Sequence, residues 1–152
     1  MNKRIFAVLF AVWMFLFTAC GGESAKESKE NALDVADKLM AAYTSCDKAA
    51  LSQYVAEGIS TREFEKTYKW MDTCIEYDAT MTYETGEVLL YEDADLIEFC
   101  SKSGVPRSKV KKVAAVYVDI ETVQGGEIYE RNAYIYIGLV DGKWLAVYPD
   151  NM

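Results

Sequence analysis

The chain has no histidine among its 152 residues, and this absence limits the chemistry that it can carry out. Without histidine there is no Ser–His or Cys–His nucleophile pair, and the commonest general base and metal ligand are missing. An enzyme with this sequence would have to use Asp, Glu, Tyr, Lys or Cys. Because no catalytic motif matches particular positions, we predict no catalytic residues and no cofactor.

Four cysteines are the most reactive side chains in the sequence. Cys20 directly follows an apolar N-terminal run, whereas Cys46, Cys74 and Cys100 are spread along the rest of the chain. An oxidising compartment would allow one disulfide among these three, and the sequence leaves all the pairings open. Cysteine metal sites typically contain closely spaced pairs such as Cys-x-x-Cys, and none is present, so we predict no metal centre.

The N-terminal segment has the three parts of a secretory signal peptide. Lys3 and Arg4 precede an uncharged run over residues 5–19, and this run ends in the small pair Thr18-Ala19. As a helix, a run of this length rises about 22 Å, which is less than the ~30 Å hydrocarbon core of a bilayer. We therefore predict a cleavable signal rather than a permanent membrane span.

The stretch Phe17-Thr18-Ala19-Cys20 resembles the lipobox of bacterial lipoproteins, although that family prefers Leu at the position of Phe17. The resemblance implies cleavage before Cys20, acylation of this cysteine and attachment to the lipid bilayer of the bacterial cell envelope. Two or more acyl chains make such an anchor stable. Gly21 stands where some inner-membrane lipoproteins have Asp, which favours the outer membrane. The alternative is an ordinary secreted protein with a chance cysteine at its cleavage site.

Removal of the signal leaves a strongly acidic chain. The sequence has 16 basic and 24 acidic residues, and Lys3 and Arg4 leave with the signal, so 14 basic residues remain. The resulting net charge of −10 argues against nucleic acid as a partner and against additional electrostatic binding to anionic lipid. We predict a signal peptide over 1–19, a lipidated tether over 20–28 and one domain over 29–152.

The N-terminal half of this domain is predicted to be helical. Apolar residues follow helical spacing over 29–45, and Asp47 can cap a second, short helix that ends near Gly58. A capping box at 60–63 predicts a third helix. The apolar stripe of this third helix consists of Phe64, Tyr68, Met71 and Ile75.

The middle of the domain, over residues 79–110, leaves the number of strands open. Residues 79–92 suggest a strand with a turn near Gly86, and residues 93–103 suggest a short helix or an irregular crossover. Gly104 and the following Val-Pro pair would end this segment.

The last third of the chain predicts a three-stranded antiparallel meander. Strands over 110–123, 127–140 and 143–148 are separated by Gly125-Gly126 and Asp141-Gly142, which are both hairpin signals. Tight turns would pair residue 123 with 128, 120 with 131, 116 with 135, 139 with 144 and 137 with 146. One apolar face then contains Val116, Ile135, Trp144, Ala146 and Tyr148. Helices followed by such a sheet predict an α+β fold.

The opposite face of the predicted sheet is more polar and aromatic. It places Tyr117 opposite Tyr134, with Tyr136 two residues further along. These three tyrosines are either ordinary strand composition or a partly exposed surface that binds a second copy, another envelope protein or a small-molecule ligand. Asp119 and Glu121 on this face are either a solvated sheet end or a carboxylate site for a cation or for proton transfer.

Arg131 is the main polar residue on the predicted apolar face. It lies near the end of its strand, so its guanidinium group can extend to solvent. The alternative is that Arg131 provides the cation of a pocket for an acidic ligand.

Two segments resemble small bacterial lipoproteins of the nuclear transport factor 2-like (cystatin-like) superfamily. They are the helical stretch over 41–51, which reads AAYTSCDKAAL, and the ending over 140–148, which reads VDGKWLAVY. The resemblance covers residues 29–148. It implies N-terminal helices packed on a curved antiparallel sheet that ends in the three-stranded meander.

That superfamily includes ligand-binding domains, isomerases, hydratases and accessory domains, so the fold alone does not define a function. The resemblance assigns no catalytic residue to this chain. We expect a membrane-anchored, non-catalytic binding or interaction module. The alternatives are a small isomerase or hydratase that uses Asp and Tyr in a sheet-lined pocket, and a cystatin-like peptidase inhibitor.

Overall fold

The computed structural model describes residues 23–59 and 62–152. In chain order, the elements are α1 (Ala25–Thr44), α2 (Lys48–Ser52), α3 (Arg62–Glu76), β1 (Thr80–Tyr91), α4 (Asp93–Ser103), a 3-10 turn (Arg107–Lys109), β2 (Val113–Gln124), β3 (Glu127–Val140) and β4 (Lys143–Asp150). The strands form one antiparallel sheet in the order β1-β2-β3-β4. The α+β class is therefore confirmed.

Polar side chains begin the first two helices. The Ser24 side chain accepts a hydrogen bond from the Glu27 amide, so α1 starts at Ala25, four residues before the predicted domain boundary. Asp47 caps α2 as predicted, because its Oδ1 accepts a hydrogen bond from the Ala50 amide at 2.9 Å. Each cap satisfies an amide that has no partner within its own helix.

Helix α3 begins at Arg62, and the start of its predicted capping box, Ser60-Thr61, lies outside the described residues. Phe64 and Met71 are buried as predicted. Ile75 is 61% exposed, so the predicted apolar stripe is wrong at this residue. Cys74 is buried in its place, so the buried stripe of the helix runs through Phe64, Thr67, Met71 and Cys74.

The predicted register of the two C-terminal hairpins is confirmed. Ile120 lies opposite Arg131, Tyr117 opposite Tyr134, and Leu139 opposite Trp144. A bulge next to Tyr136 then shifts the pairing, so Tyr148 lies opposite Tyr136. The prediction that Tyr148 shares the apolar face with Trp144 is wrong, because one extra residue in a strand reverses the side on which the following residues lie.

Strand β1 runs through the position where a turn was predicted. Gly86 lies in a bulge between Thr85 and Val88, and β1 continues to Tyr91. A Cβ atom on Gly86 would lie 2.9 Å from the ring of Tyr117 on the neighbouring strand. Glycine is therefore needed here for the close approach of two strands rather than for a chain reversal.

The sheet has an inner face, covered mainly by α1, and an outer face, partly covered by α4. The inner core contains Leu39, Tyr43, Phe64, Val116 and Ile135, all fully buried. The outer core is a second, smaller cluster. Its buried members are Ala56, Ile59, Leu96, Phe99, Cys100, Val105, Val110, Val113, Val140 and Val147. The sequence patterning predicted one apolar face, whereas the structure has apolar clusters on both.

Candidate functional site on the outer face of the sheet

A groove of about 620 Å³ lies between α4 and the outer face of the sheet. Its aromatic walls are Tyr91 on β1, Phe99 on α4, Tyr136 on β3 and Tyr148 on β4. Leu89 and Leu90 extend the wall along β1. The volume lies in the range typical of small-molecule sites, and the lining combines apolar surface with a few polar groups. We call this feature the aromatic groove.

The four aromatic rings are in contact with one another. Phe99 stacks on Tyr136 with ring centroids 4.7 Å apart, and Tyr136 meets Tyr91 and Tyr148 edge to face at 5.8 Å and 5.9 Å. Offset and edge-to-face pairs of this kind favour a fixed arrangement of the rings. The groove wall is therefore formed by packed rings from four separate elements.

Charged side chains form the rim of the aromatic groove. Asp95, Glu98 and Lys102 project from α4, and Asp150 lies at the end of β4. Glu98 and Lys102 form an ion pair one helical turn apart. Burial, together with the nearby Tyr91 and Asp150, raises the pKa of Tyr136, so this phenol is neutral at physiological pH. A neutral phenol can donate and accept hydrogen bonds inside the groove.

The rest of the outer face is open and acidic. Tyr117 and Tyr134 meet edge to face at 5.4 Å, and Tyr134 is 38% exposed. The Tyr117 hydroxyl donates to Asp119 Oδ1 at 2.8 Å and accepts from Asn132. The bond to Asp119 raises the pKa of Tyr117. A second depression of about 550 Å³ beside these residues is lined by Glu84, Asp119, Glu121, Glu130, Arg131, Asn132 and their neighbours.

The three predicted tyrosines therefore lie on the same face of the sheet but belong to two different parts of it. Tyr117 and Tyr134 lie on the open part of the outer face, whereas Tyr136 packs under α4 in the aromatic groove. No pattern in the sequence predicted Tyr91, Phe99 or Tyr148 as site residues. An available signal was the spacing of the buried residues of α4, which gives this helix one apolar side that needs a partner.

Arg131 lies on the inner face near the opposite end of the sheet from α4. Its Nη2 donates to the Tyr43 hydroxyl at 2.7 Å, and its guanidinium carbon lies 5.4 Å from the ring centroid of Trp70. Arg131 Nε and Trp70 Nε1 are buried and have no hydrogen-bond partner among the described residues. Burial raises the pKa of Tyr43 to about 12, although Arg131 acts in the opposite direction. Arg131 thus joins α1 and α3 to the sheet.

The three cysteines of the described chain are free thiols on two sides of the sheet. Cys46 and Cys74 contact the inner core, whereas Cys100 belongs to the outer core. The sheet separates Cys100 from the other two, so Cys46 and Cys74 are the pair that shares one side. One disulfide among the three cysteines stays a prediction. Burial raises the pKa of all three thiols, which lowers their reactivity.

Cys20, the predicted lipidation site, lies outside the described residues. Within the two described ranges, no group of three His, Cys, Asp or Glu residues has the arrangement of a metal site. None of the helices in those ranges is both long and apolar enough to cross a membrane.

No protein-family model matches the chain, and no curated protein is significantly similar to it.

Proposed function

We propose that this chain is a lipid-anchored, non-catalytic binding module of the bacterial cell envelope. The support for the anchor is the basic start, the uncharged run and the resemblance of Phe17-Thr18-Ala19-Cys20 to a lipobox. Acyl chains on Cys20 would hold the domain at the bilayer, with the outer membrane as the favoured location.

We also propose that the domain is nuclear transport factor 2-like (cystatin-like). The support is the combination of N-terminal helices on a four-stranded antiparallel sheet with a final hairpin that contains Asp141-Gly142-Lys143-Trp144.

The observation that carries the binding function is the aromatic groove. Its walls are preformed by ring contacts, and Leu89 is 42% exposed in the wall although it is a large apolar residue. Its polar groups are the Tyr136 phenol and the charged rim. This combination suits a small, mainly apolar ligand with one polar end.

The alternative, an isomerase or hydratase, requires a desolvated carboxylate that can act as a base. Among the described residues, every Asp and Glu is at least partly exposed, and the buried polar residues are Ser28, Thr67 and Thr122. The space between α1 and the inner face is occupied by core side chains such as Tyr43 and Met40. These observations favour binding over catalysis.

Native mass spectrometry of the lipoprotein extracted from bacterial membranes tests this proposal. We expect a protein that carries acyl groups on Cys20 and retains a bound molecule of a few hundred daltons, the size that fits such a groove. A protein without acyl groups, or a monomer that never retains a ligand, would contradict it. A dimer would instead indicate the open face around Tyr117 and Tyr134 as an interface.

Two matched variants connect the bound molecule to the aromatic groove. Leu89→Glu places a charge in the groove wall at an exposed position, so it should abolish ligand retention without unfolding the domain. Ile75→Glu changes an apolar residue on α3 that is 61% exposed and lies outside the groove lining, so it should retain the ligand. Equal loss in both variants would show that the ligand binds elsewhere.

A further inference from the structure

The residues that follow Cys20 are fixed to one end of the sheet. The Glu23 carboxylate accepts hydrogen bonds from Trp144 Nε1 at 2.9 Å and 3.2 Å and lies 3.6 Å from Lys112 Nζ. Lys112 Nζ also donates to the Glu23 carbonyl and to Ser28 Oγ, each at 3.0 Å. Partial burial would raise the pKa of Glu23, but the hydrogen bonds from Asn31 and Trp144 and the charge of Lys112 lower it.

This contact defines which end of the domain is nearest to the anchor. Only Gly21 and Gly22 separate Cys20 from Glu23. Three Cα–Cα steps span at most about 11 Å, even in a fully extended chain. If Cys20 is acylated, as proposed above, the end of the sheet that contains Glu23 and Trp144 must lie close to the lipid headgroups.

Basic residues are concentrated at the same end. No acidic residue occurs between Phe99 and Val118, and this stretch contains five of the 14 basic residues that remain after signal removal. The Lys111 amide donates to the Leu139 carbonyl at 3.0 Å, and Leu139 lies opposite Trp144. We define the basic cluster as Arg107, Lys109, Lys111, Lys112 and Lys143.

Much of the charge of this basic cluster is not neutralised. Lys112 is paired with Glu23, and Arg107 lies 3.9 Å from Asp93. Lys109, Lys111 and Lys143 are exposed and form no ion pair with the residues that the structure describes. Acidic residues also occur at this end: Asp141 lies in the neighbouring turn, and Glu92 and Asp93 follow the last residue of β1, which pairs with Val113. What distinguishes this end is that three of its lysines are exposed and, among the described residues, unpaired, although the mature chain as a whole is acidic.

We propose that the basic cluster binds anionic phospholipid headgroups of the membrane in which Cys20 is anchored. This inference depends on the proposed lipid anchor, which brings the cluster within reach of the headgroups. Lysines close to an anionic surface are attracted to it within about one Debye length, and the acidic remainder of the domain is repelled. Both effects orient the strands away from the bilayer, so the turn at Gly125-Gly126 points away from the membrane.

The acidic net charge predicted no electrostatic binding to anionic lipid. Net charge is an average over the whole domain, whereas attraction to a surface depends on the charges that lie nearest to it. The two residues between the anchor and Glu23 form a connection short enough to make the charges at this end decisive.

The test uses the full lipoprotein, whose acyl groups on Cys20 are first verified by mass spectrometry. The protein is reconstituted into vesicles of phosphatidylcholine alone or of phosphatidylcholine with one third phosphatidylglycerol. Hydrogen exchange is then measured at the hydrogen-bonded amides of Lys109, Lys111 and Leu139. At low salt we expect exchange at least fivefold slower on the anionic vesicles, the effect of about one lysine at the surface. High salt should remove this difference.

Two triple variants make the test specific. Lys109→Gln, Lys111→Gln and Lys143→Gln together should abolish the difference between the two vesicle types. Arg62→Gln, Lys66→Gln and Lys69→Gln together remove the same charge from α3 and should preserve the difference. Both sets change exposed or half-exposed residues, and matching melting temperatures verify that each variant is folded.

The outcomes separate this inference from the proposed function. Acylated protein with equal exchange on both vesicle types would overturn the orientation of the domain while leaving the lipid-anchored binding module intact. Protein without acyl groups on Cys20 would overturn both. Loss of the difference in the α3 control as well as in the cluster variant would also overturn the inference, because the attraction would then follow net charge.

Discussion

Arg131 shows how a single charged side chain can be accommodated on an otherwise apolar face. The two hypotheses from the sequence were extension to solvent and a pocket cation. The structure places the guanidinium group between the Tyr43 hydroxyl and the Trp70 ring, and Arg131 is also among the residues that line the depression of about 550 Å³. A planar guanidinium suits this position because it can donate a hydrogen bond and stack on an aromatic face at the same time.

We expect Arg131→Ala to lower the free energy of unfolding by about 2 kcal/mol, since it leaves the buried Tyr43 hydroxyl without a donor and removes the contact with Trp70. Arg131→Lys should cost less, because it keeps the charge but not the planar group. Urea denaturation of residues 21–152 measures both. The control, Arg62→Ala, removes an exposed arginine and should change stability by no more than about 0.5 kcal/mol. Equal effects of the two alanine variants would contradict the structural role of Arg131.

The raised pKa of Tyr43 predicts how the stability of the folded chain changes at alkaline pH. Its pKa is raised from 10.0 to about 12, chiefly by burial, so the folded chain keeps the phenol proton over a range in which the unfolded chain releases it. The folded state binds more protons above pH 10, and stability must therefore fall as pH rises.

Below pH 10 the contribution of Tyr43 to stability is fully present. Between pH 10 and 12 it should decrease by about 1.4 kcal/mol per pH unit. Comparison of the wild type with Tyr43→Phe, by denaturation at several pH values, isolates this contribution from the other groups that titrate there. Parallel pH profiles for the two proteins would contradict the assignment.

At the scale of the elements, α4 determines what the outer face can do. Leu96, Phe99 and Cys100 turn one side of this helix toward the sheet, and Gly104 ends it in the left-handed conformation with φ 76°. The Gly104 amide donates to the Cys100 carbonyl at 3.1 Å, which completes the last turn. The helix thereby divides the outer face into the aromatic groove and the open acidic part.

The lack of space for a side chain at Gly138 shows how tightly the outer core is packed. A Cβ atom at this position would lie 2.9 Å from Val147 Cγ1 and 3.0 Å from Val110 Cγ1. Gly138→Ala should therefore lower the free energy of unfolding by about 1–3 kcal/mol through overpacking. Thermal or urea denaturation of the variant measures this cost.

The double variant Gly138→Ala with Val147→Ala serves as the control for this prediction. Val147→Ala alone should also be destabilising, since it leaves a cavity among buried residues. If the contact is real, the double variant should be more stable than the sum of the two single effects predicts. Strict additivity would indicate that the two positions do not touch.

For the whole molecule, the open acidic part of the outer face lies further from the proposed anchor than the aromatic groove does. The proposed anchor leads directly to the end of the sheet that contains Trp144, whereas Tyr117 and Tyr134 lie further along the strands. The aromatic groove begins at the anchored end, because Tyr91 pairs with Val113, the neighbour of Lys112. A domain held at this end would present its outer face beside the membrane rather than against it.

Cys20→Ala tests the location of the whole protein. We expect the variant to lose incorporation of labelled palmitate, since the thiol is the acceptor in lipoprotein processing, and to leave the purified outer-membrane fraction. Metabolic labelling and membrane fractionation measure these effects. Cys46→Ala is the matched control, because it removes a cysteine of the folded domain and should preserve both labelling and location. Membrane location that is unchanged in the Cys20 variant would contradict the proposed anchor.

Local sequence signals predicted much of this fold. The two hairpins follow from Gly125-Gly126 and Asp141-Gly142, whose four residues have φ values between 49° and 86°. These turns and the alternation of apolar residues are sufficient to define the register of β2, β3 and most of β4. The Asp47 cap was predictable for the same reason, because a cap depends on residues three positions apart.

Sequence patterns predicted the structure less well where a bulge or a packing contact depends on residues that are distant along the chain. The bulge next to Tyr136 moved Tyr148 to the outer face, and the bulge at Gly86 replaced a turn. The exposure of Ile75 depends on the rotation of α3 against its neighbours rather than on its own spacing. The spacing of apolar residues shows that a helix has an apolar side, but it does not specify which part of the protein packs against that side.

The sequence by itself therefore determined the α+β class, the C-terminal meander, its register and the segment that predicts a lipid anchor. The tertiary structure decided that α4 covers part of the outer face, that Tyr136 joins Tyr91, Phe99 and Tyr148 in one groove, and that Glu23 lies beside Lys112 and Trp144. Turns, caps and strand alternation depend on neighbours along the chain, whereas these contacts join residues that only the packed fold brings together.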